Sequence, residues 1–266
     1  MFSMMKKRQQ KKKAGWDHVA NWYHSITGSE GHYYQREIIL PNVLNIIKTT
    51  KARKLLDIAC GQGVLERALP KEIDYCGVDI SPSLIQQAKS QSVNNTHRFH
   101  TFDVSSKEFD LQEKDFDAAT IILALQDIKD IRTLFRNTHK HLIEGGVLHI
   151  VMNHPCFRIP RHTSWDINDQ QKVQNRVVRS YMSAMEIPIA INPGQGKDSE
   201  SVTYFHQPIS AYSKTLKEAG FVIQEMDEWV SNKKSSGPKS KMENRARDEF
   251  PLFLYLSCKK VAERQD

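Results

Sequence analysis

The run Leu55-Leu56-Asp57-Ile58-Ala59-Cys60-Gly61-Gln62-Gly63 puts an acid near the end of an apolar stretch and two glycines at the entry to a helical pattern. Such an order forms a ligand-binding turn. Glycine lets the backbone approach a ligand closely, and a helix N-terminus presents unpaired N–H groups to a negative group such as a carboxylate. A dinucleotide enzyme needs a third glycine, spaced Gly-x-Gly-x-x-Gly, so that the helix packs on the pyrophosphate turn. Glu66 holds that position here, and an acid there is expected to face a diphosphate unfavourably. A second group of chemistry-bearing residues is Asn153-His154-Pro155-Cys156-Phe157-Arg158, continuing to Arg161, His162 and Trp165. His154 is a candidate base or orienting group, Arg158 and Arg161 can pair with a carboxylate or phosphate, and Phe157 and Trp165 can cover a ring. A third is Tyr204-Phe205-His206, in which His206 is the other catalytic candidate. His154, His162 and His206 lack a ligand spacing such as His-x-x-x-His, so no metal is expected.

Positioning these groups requires a sheet. From Lys54 onward, short apolar runs at Leu55–Ala59, Tyr75–Ile80, Arg98–Phe102, Phe116–Leu125 and Val147–Met152 alternate with helical patterns. That alternation predicts βαβ units and a mostly parallel, two-sided sheet whose strand ends form a ligand crevice. Helices are expected at Leu65–Leu69, Pro82–Ser90 and Ile128–Leu142, the last ended by Gly145-Gly146, with only a loop between the third and fourth strands. Before the sheet, Trp16, Val19, Ala20 and Tyr23 recur at helical spacing, and Ile38, Ile39, Val43, Leu44 and Ile47 predict a second helical stretch interrupted near Pro41. Residues 153–207 break the rhythm and read as a cap-like insertion, with strand-like alternation around Val177–Met185. A helix at Ile209–Ala219, a strand at Phe221–Met226, a basic loop at Lys233–Arg247 and a strand at Leu252–Leu256 complete the pattern.

The glycine turn resembles motif I of the class I methyltransferases that use S-adenosylmethionine (SAM), with Ala59 in place of the motif's first glycine. The resemblance implies a Rossmann-like α/β sheet with an antiparallel last strand. It implies that Asp57, Ala59, Cys60, Gly61 and Gly63 lie at the cofactor. Asp79 and Ile80, ending the second strand, would meet its ribose hydroxyls, and Asp103 and Val104 its adenine. The run from Asp115 to Ile128 is similar to motif IV of the small-molecule branch, which includes quinone-biosynthesis C-methyltransferases, and implies Leu123, Ala124 and Leu125 beside SAM. N-terminal aromatics resemble the family's lid, Tyr23 and Tyr34 being favoured over Trp16 and Trp22 to shield the sulfonium. Phe157, Arg158, Trp165 and Tyr204 are the expected acceptor-binding residues.

The implied activity is transfer of the SAM methyl group to an O, N or C atom of a small molecule. Two other readings share the sheet: methylation of nucleic acid or protein, and non-catalytic SAM binding. An Asn/Asp-Pro-Pro-aromatic motif would mark an exocyclic base nitrogen as target, but the fourth strand carries Ala124-Leu125-Gln126-Asp127. The net charge of +7 also points less to nucleic acid than it first suggests. Lys6, Lys7, Arg8, Lys11, Lys12 and Lys13 crowd a tail at residues 1–13 that is expected to be disordered, leaving the rest almost neutral. Residues 14–266 read as one domain, with lid helices at about 14–50 and the cap at about 153–207. Cys60, Cys76, Cys156 and Cys258 form no Cys-x-x-Cys pair, so neither zinc nor disulfides are expected, and no base accompanies Cys60 or Cys156 for thiol chemistry. With no apolar run long enough to span a bilayer, a cytoplasmic protein without a membrane span is expected.

Overall fold

The computed structural model describes residues 15–17, 28, 30–190 and 201–262. The basic tail and Val19, Ala20, Trp22 and Tyr23 lie outside the described residues. The elements in chain order are α1 (Leu40–Thr50), β1 (Lys54–Ile58), α2 (Val64–Ala68), β2 (Asp74–Asp79), α3 (Pro82–Gln91), β3 (Arg98–Thr101), β4 (Phe116–Ile122), α4 (Ile131–His141) and β5 (Leu142–Asn153). There follow β6 (Thr163–Asn168), β7 (Val173–Val178), β8 (Met185–Ala190), β9 (Ser201–His206), α5 (Ile209–Glu218), β10 (Phe221–Trp229), α6 (Ser240–Glu249) and β11 (Phe253–Lys260).

Seven strands form one sheet in the order β10-β11-β5-β4-β1-β2-β3. β1 through β5 pair in parallel, whereas β11 pairs antiparallel with both β5 and β10. The order reverses direction at β1, between β2 and β4, so the carboxyl ends of β1, β2 and β4 open a crevice at a topological switch point. Both faces are covered. Leu56, Ile58, Val78, Ala119, Ile121 and Ile150 pack on one side with α4 and α5, and Leu55, Tyr75, Ala118, Val151 and Phe253 on the other with α1. These two apolar layers explain why the parallel strands read as continuous hydrophobic runs. The chain between β3 and β4 holds no helix, matching the loop expected from the order of elements.

Three expectations are corrected. Pro41 does not interrupt the N-terminal helix: a π-helical turn at Gln35–Ile39 runs directly into α1, and Pro41 sits in the first turn of α1, where a missing N–H costs little. Gly145-Gly146 does not cap α4, which ends at His141. Both glycines lie inside β5, where the pairing with β4 slips between Phe116 and Ala118 and Gly145 adopts φ 78°. A bulge needs the residue that tolerates positive φ, so the glycine signal was real but belonged to a strand. The basic segment after β10 is half helical: α6 buries Met242 and Ala246, and Lys239 pairs with Asp169 and Lys234 with Asp248.

The segment between β5 and α5 forms two antiparallel hairpins outside the main sheet, β6–β7 and β8–β9. Ile159, Ile187 and Tyr204 bury one another beneath the second hairpin. The strand-like alternation predicted around Val177–Met185 spans the end of β7 and the turn before β8. No helix among the described residues is long and apolar enough to cross a membrane.

Candidate active site

Asp57 is buried in β1, where it accepts hydrogen bonds from Tyr75 Oη on β2 at 2.8 Å and Thr120 Oγ1 on β4 at 2.7 Å. One carboxylate thus ties three adjacent strands together beneath the crevice. Burial raises its pKa to about 6, against the two hydrogen bonds, which lower it. After β1 the chain turns sharply through three left-handed residues, Ala59 (φ 54°), Gly61 (φ 56°) and Gly63 (φ 78°). Two of the three are glycines, for which this conformation carries no steric cost, while Ala59 accepts the strain of the turn. The turn is held by Cys60 N–H donating to Val78 O and Gly63 N–H donating to Cys60 O. Cys60 packs so closely on Gly77 that a Cβ there would stand 2.9 Å from its Sγ and 2.8 Å from Tyr75 Oη. Burial, with Asp57 and Asp79 adding to it, pushes the Cys60 thiol well above its ordinary pKa, which suits packing and not nucleophilic attack.

Asp79 closes the turn from the neighbouring strand. Its Oδ2 accepts from Gly61 N–H and its Oδ1 from Ser81 N–H, each at 2.9 Å, and burial raises its pKa against those bonds. Ser81 caps α3 by accepting from Leu84 N–H, and its hydroxyl donates to Asp17 Oδ1. Asp17 also accepts from Ser83 N–H, so one N-terminal acid docks the helical turn at Gly15–Asp17 onto the start of α3 and brings Trp16 to the crevice.

The result is a cavity of about 370 Å³ lined by Ala59, Gly61, Asp79, Ile80, Phe102, Asp103, Val104, Leu123 and Ala124, with Trp16 at one side. Asp103 is fixed by Ser105, whose N–H and hydroxyl both donate to its Oδ1, and Asn137 holds the same loop through Val104 O and Ser106 O. Leu123 adopts φ 56° and donates its N–H to Val151 O, turning the end of β4 over the cavity. A single 3-10 turn at Leu125–Asp127 follows, and β9 packs against it, adding Ser201, Thr203 and Phe205 to the wall. The donor set fits an adenosyl group: two carboxylates with spare lone pairs face a narrow apolar space bounded by Ile80, Phe102, Val104 and Leu123.

Several expected residues lie elsewhere. Leu125 is 1% exposed and belongs to the core, because the 3-10 turn points it under the sheet. Asp57, Cys60 and Gly63 support the turn without lining the cavity. Tyr34 does not reach the cavity either: it packs edge-on to Phe253 with its hydroxyl 3.5 Å from Ser231 Oγ, and Lys233 Nζ lies 4.9 Å over its ring. His154 is 1% exposed; its Nδ1 accepts from Cys156 N–H at 3.1 Å and its Nε2 meets Glu228 Oε1 at 2.6 Å. Burial lowers its pKa despite Glu228, so the ring is a neutral structural bridge from β5 to β10. His206 is equally buried, with Nε2 on Tyr181 O, and faces away from the cavity that its neighbour Phe205 lines, as strand alternation requires. Tyr204 is buried under the β8–β9 hairpin with its hydroxyl 3.5 Å from Arg158 O. Phe157, Arg158 and Trp165 come together, but in a second cavity with Tyr34, Arg176 and Phe250. Glu66 does not face the turn at all. It is buried against His97, whose Nδ1 lies 2.7 Å from its Oε1, and it also accepts from Ser92.

Sequence reasoning passed over Asp127. Its carboxyl lines the cavity, and burial raises its pKa to about 7. Its position directly after the motif-IV-like strand was the available signal. Phe102 and Phe205 were likewise within reach, since each flanks a residue already singled out. Asp17 carried no signal, because its role depends on where the N-terminal turn lands. Among the described residues, no three His, Cys, Asp or Glu side chains are grouped to hold a metal ion.

Residues 56–148 match the family model described as a methyltransferase domain. An uncharacterized protein of Haemophilus influenzae is 24% identical over 83% of this chain and 86% of its own length. A ubiquinone biosynthesis O-methyltransferase of Coxiella burnetii is 30% identical over 38% of this chain, which spans only 43% of that enzyme. Among solved structures, an S-adenosylmethionine-dependent methyltransferase of Clostridium acetobutylicum superposes with a TM-score of 0.59 at 19% identity, covering 94% of this chain and all of that one. The glycine turn lies within the matched segment and the switch-point cavity opens beside it, so the chain carries a methyltransferase domain on the fold shared by SAM-dependent methyltransferases, and SAM is the cofactor this match supports.

Proposed function

We propose that the protein methylates a small-molecule acceptor, and that Asp79, Asp103 and the Ala59–Gly61 turn hold the cofactor while Leu123, Ala124, Asp127 and Phe205 face the reacting end. The observation that carries this reading is the size and walling of the cavity: about 370 Å³, with Ser201, Thr203 and Phe205 of β9 in its wall. A space of this size admits a compact molecule. The almost neutral body outside the basic tail favours the same class. In this reading residues 14–266 act as one domain, and the hairpins of the 153–207 insertion are the cap that selects the acceptor.

SAM supplies a methyl group on a sulfonium sulfur, an activated leaving group that needs alignment more than acid catalysis. The chain therefore has three tasks. Asp79 offers the remaining lone pairs of its two oxygens to a pair of hydroxyls, and Asp103 does the same for an amine. Leu123 and Ala124, with Phe102 and Phe205, keep water from the reacting centre, where charge is neutralised as the bond forms. Asp127, with its pKa near neutrality, takes up a proton from an acceptor that must lose one.

The test is to incubate the purified protein with methyl-labelled SAM and a cell extract separated into small-molecule, nucleic-acid and protein fractions. Label in the small-molecule fraction is the expected result. Label confined to nucleic acid or protein would overturn the acceptor class and leave the cofactor assignment intact.

A further inference from the structure

The second cavity, of about 230 Å³, lies where β5 ends and β11 begins, and none of its lining residues is shared with the cofactor cleft. Its walls are aromatic. Phe250 stands edge-on to Phe157 at 5.6 Å and to Trp165 at 5.4 Å between ring centroids, and Tyr34 also lines the space. Two guanidinium groups enter this apolar space, and among the described residues no Asp or Glu lines it.

The two arginines differ in what holds them. Arg176 is fixed: its Nε and Nη2 donate to Phe157 O at 2.8 and 2.6 Å, Nη2 also donates to Thr163 Oγ1, and the group lies 4.8 Å over the Trp165 ring. Arg158 is half-buried and rests 5.5 Å over the Phe253 ring, yet among the described residues its guanidinium donates no hydrogen bond and forms no ion pair. Five donors in a planar fork stand in a partly dry cavity without an acceptor. Burial lowers the pKa of both groups, and the Arg158 charge lowers that of Arg176 further. Lys233, over the Tyr34 ring, adds a third cation at the same edge. An oxyanion presenting two oxygens would satisfy the fork in two parallel bonds and supply a counter-charge to the pair.

We propose that this cavity binds a small aromatic acid, its carboxylate or phosphate paired with Arg158 and its ring enclosed by Phe157, Trp165 and Phe250. The volume lies below the range of about 300–1,000 Å³ typical of drug-sized sites, so the occupant is compact. The inference rests on the arginines and their aromatic enclosure and does not depend on which molecule accepts the methyl group.

Trp165 reports on the site by fluorescence, and calorimetry gives the affinity. The probes are benzoate, phenyl phosphate, neutral benzamide and inorganic phosphate, and SAM binding serves as the check that each variant is folded. Saturable binding of benzoate or phenyl phosphate is expected, the tighter of the two identifying the oxyanion, with benzamide and inorganic phosphate each at least tenfold weaker. Arg158→Gln should weaken the preferred anion at least tenfold, and Arg158→Lys severalfold, because lysine keeps the charge and loses the fork. Should Arg158→Gln fail to bind SAM, Arg158→Lys decides alone. Absence of saturable anion binding to the intact protein, equal binding of benzamide, equal binding of inorganic phosphate, or an unchanged affinity in the folded Arg158 variants would each overturn the proposal.

Discussion

Replacing Asp79 tests the cofactor site at the point where most of its geometry converges. The carboxylate is 6% exposed and already accepts two backbone N–H bonds at 2.9 Å, from Gly61 and Ser81. Asp79→Ala leaves both donors in a poorly hydrated place and removes both acceptors for the cofactor's hydroxyls. A hydrogen bond to a charged group contributes about 1.5–3 kcal/mol. Loss of two such bonds to the ligand therefore amounts to about 3–6 kcal/mol, or roughly a hundred-fold to ten-thousand-fold in affinity. Asp79→Asn keeps one acceptor oxygen but turns an NH2 group toward one of the N–H donors, so an intermediate loss, on the order of tenfold, is expected. Isothermal titration calorimetry with SAM and S-adenosylhomocysteine measures the change, NAD serves as a control ligand, and a thermal melt of the ligand-free variants shows whether the turn still folds. An Asp79→Ala protein that melts cooperatively and binds SAM with unchanged affinity would refute the assignment of the cleft.

Other predictions follow from single contacts. If Asp127 is the proton acceptor, kcat/KM rises with pH through about 7 and the Asp127→Asn variant loses that limb; an identical profile in the variant would remove Asp127 from the chemistry. Asp57 and Asp127 are raised on folding, to about 6 and about 7, so their protonated forms favour the native state and their contribution is lost as pH rises through those values. The Tm of the ligand-free protein should therefore fall less steeply from about pH 4 to 7 in Asp127→Asn than in the native chain. Gly77→Ala sets a methyl group 2.8 Å from Tyr75 Oη and 2.9 Å from Cys60 Sγ, and should destabilise by about 1–3 kcal/mol in urea unfolding. His154→Ala breaks the half-buried bridge to Glu228 and Cys156, with an expected loss of about 1–3 kcal/mol in stability and little change in kcat below the melting transition. A collapse of kcat in a well-folded His154→Ala protein would return that ring to catalysis.

Much of this molecule could be read from local pattern, because the features concerned are set by short-range physics. The alternation of apolar runs with helical segments fixes a parallel two-sided sheet, and the Asp57-to-Gly63 turn announces itself through residues that tolerate left-handed backbone. The same locality misled at Gly145-Gly146 and Pro41. A glycine pair permits a bulge as well as a helix end, and a proline is harmless in a first helical turn. What the tertiary structure alone decided is which way side chains face and which distant segments meet. Strand alternation put Phe205 into the cleft and His206 out of it, a difference of one residue that composition cannot reveal. Packing of β10 against β11 carried Glu228 to His154 and made a catalytic candidate into a brace, while docking of the N-terminal turn brought Trp16 in. Arg158 precedes the β6–β7 hairpin and Arg176 lies on its second strand, and only the folding of that hairpin beside Phe250 and Tyr34 gathered two cations and four rings around one small space. Contacts between residues far apart in the chain depend on how whole elements pack, and no window of sequence contains them.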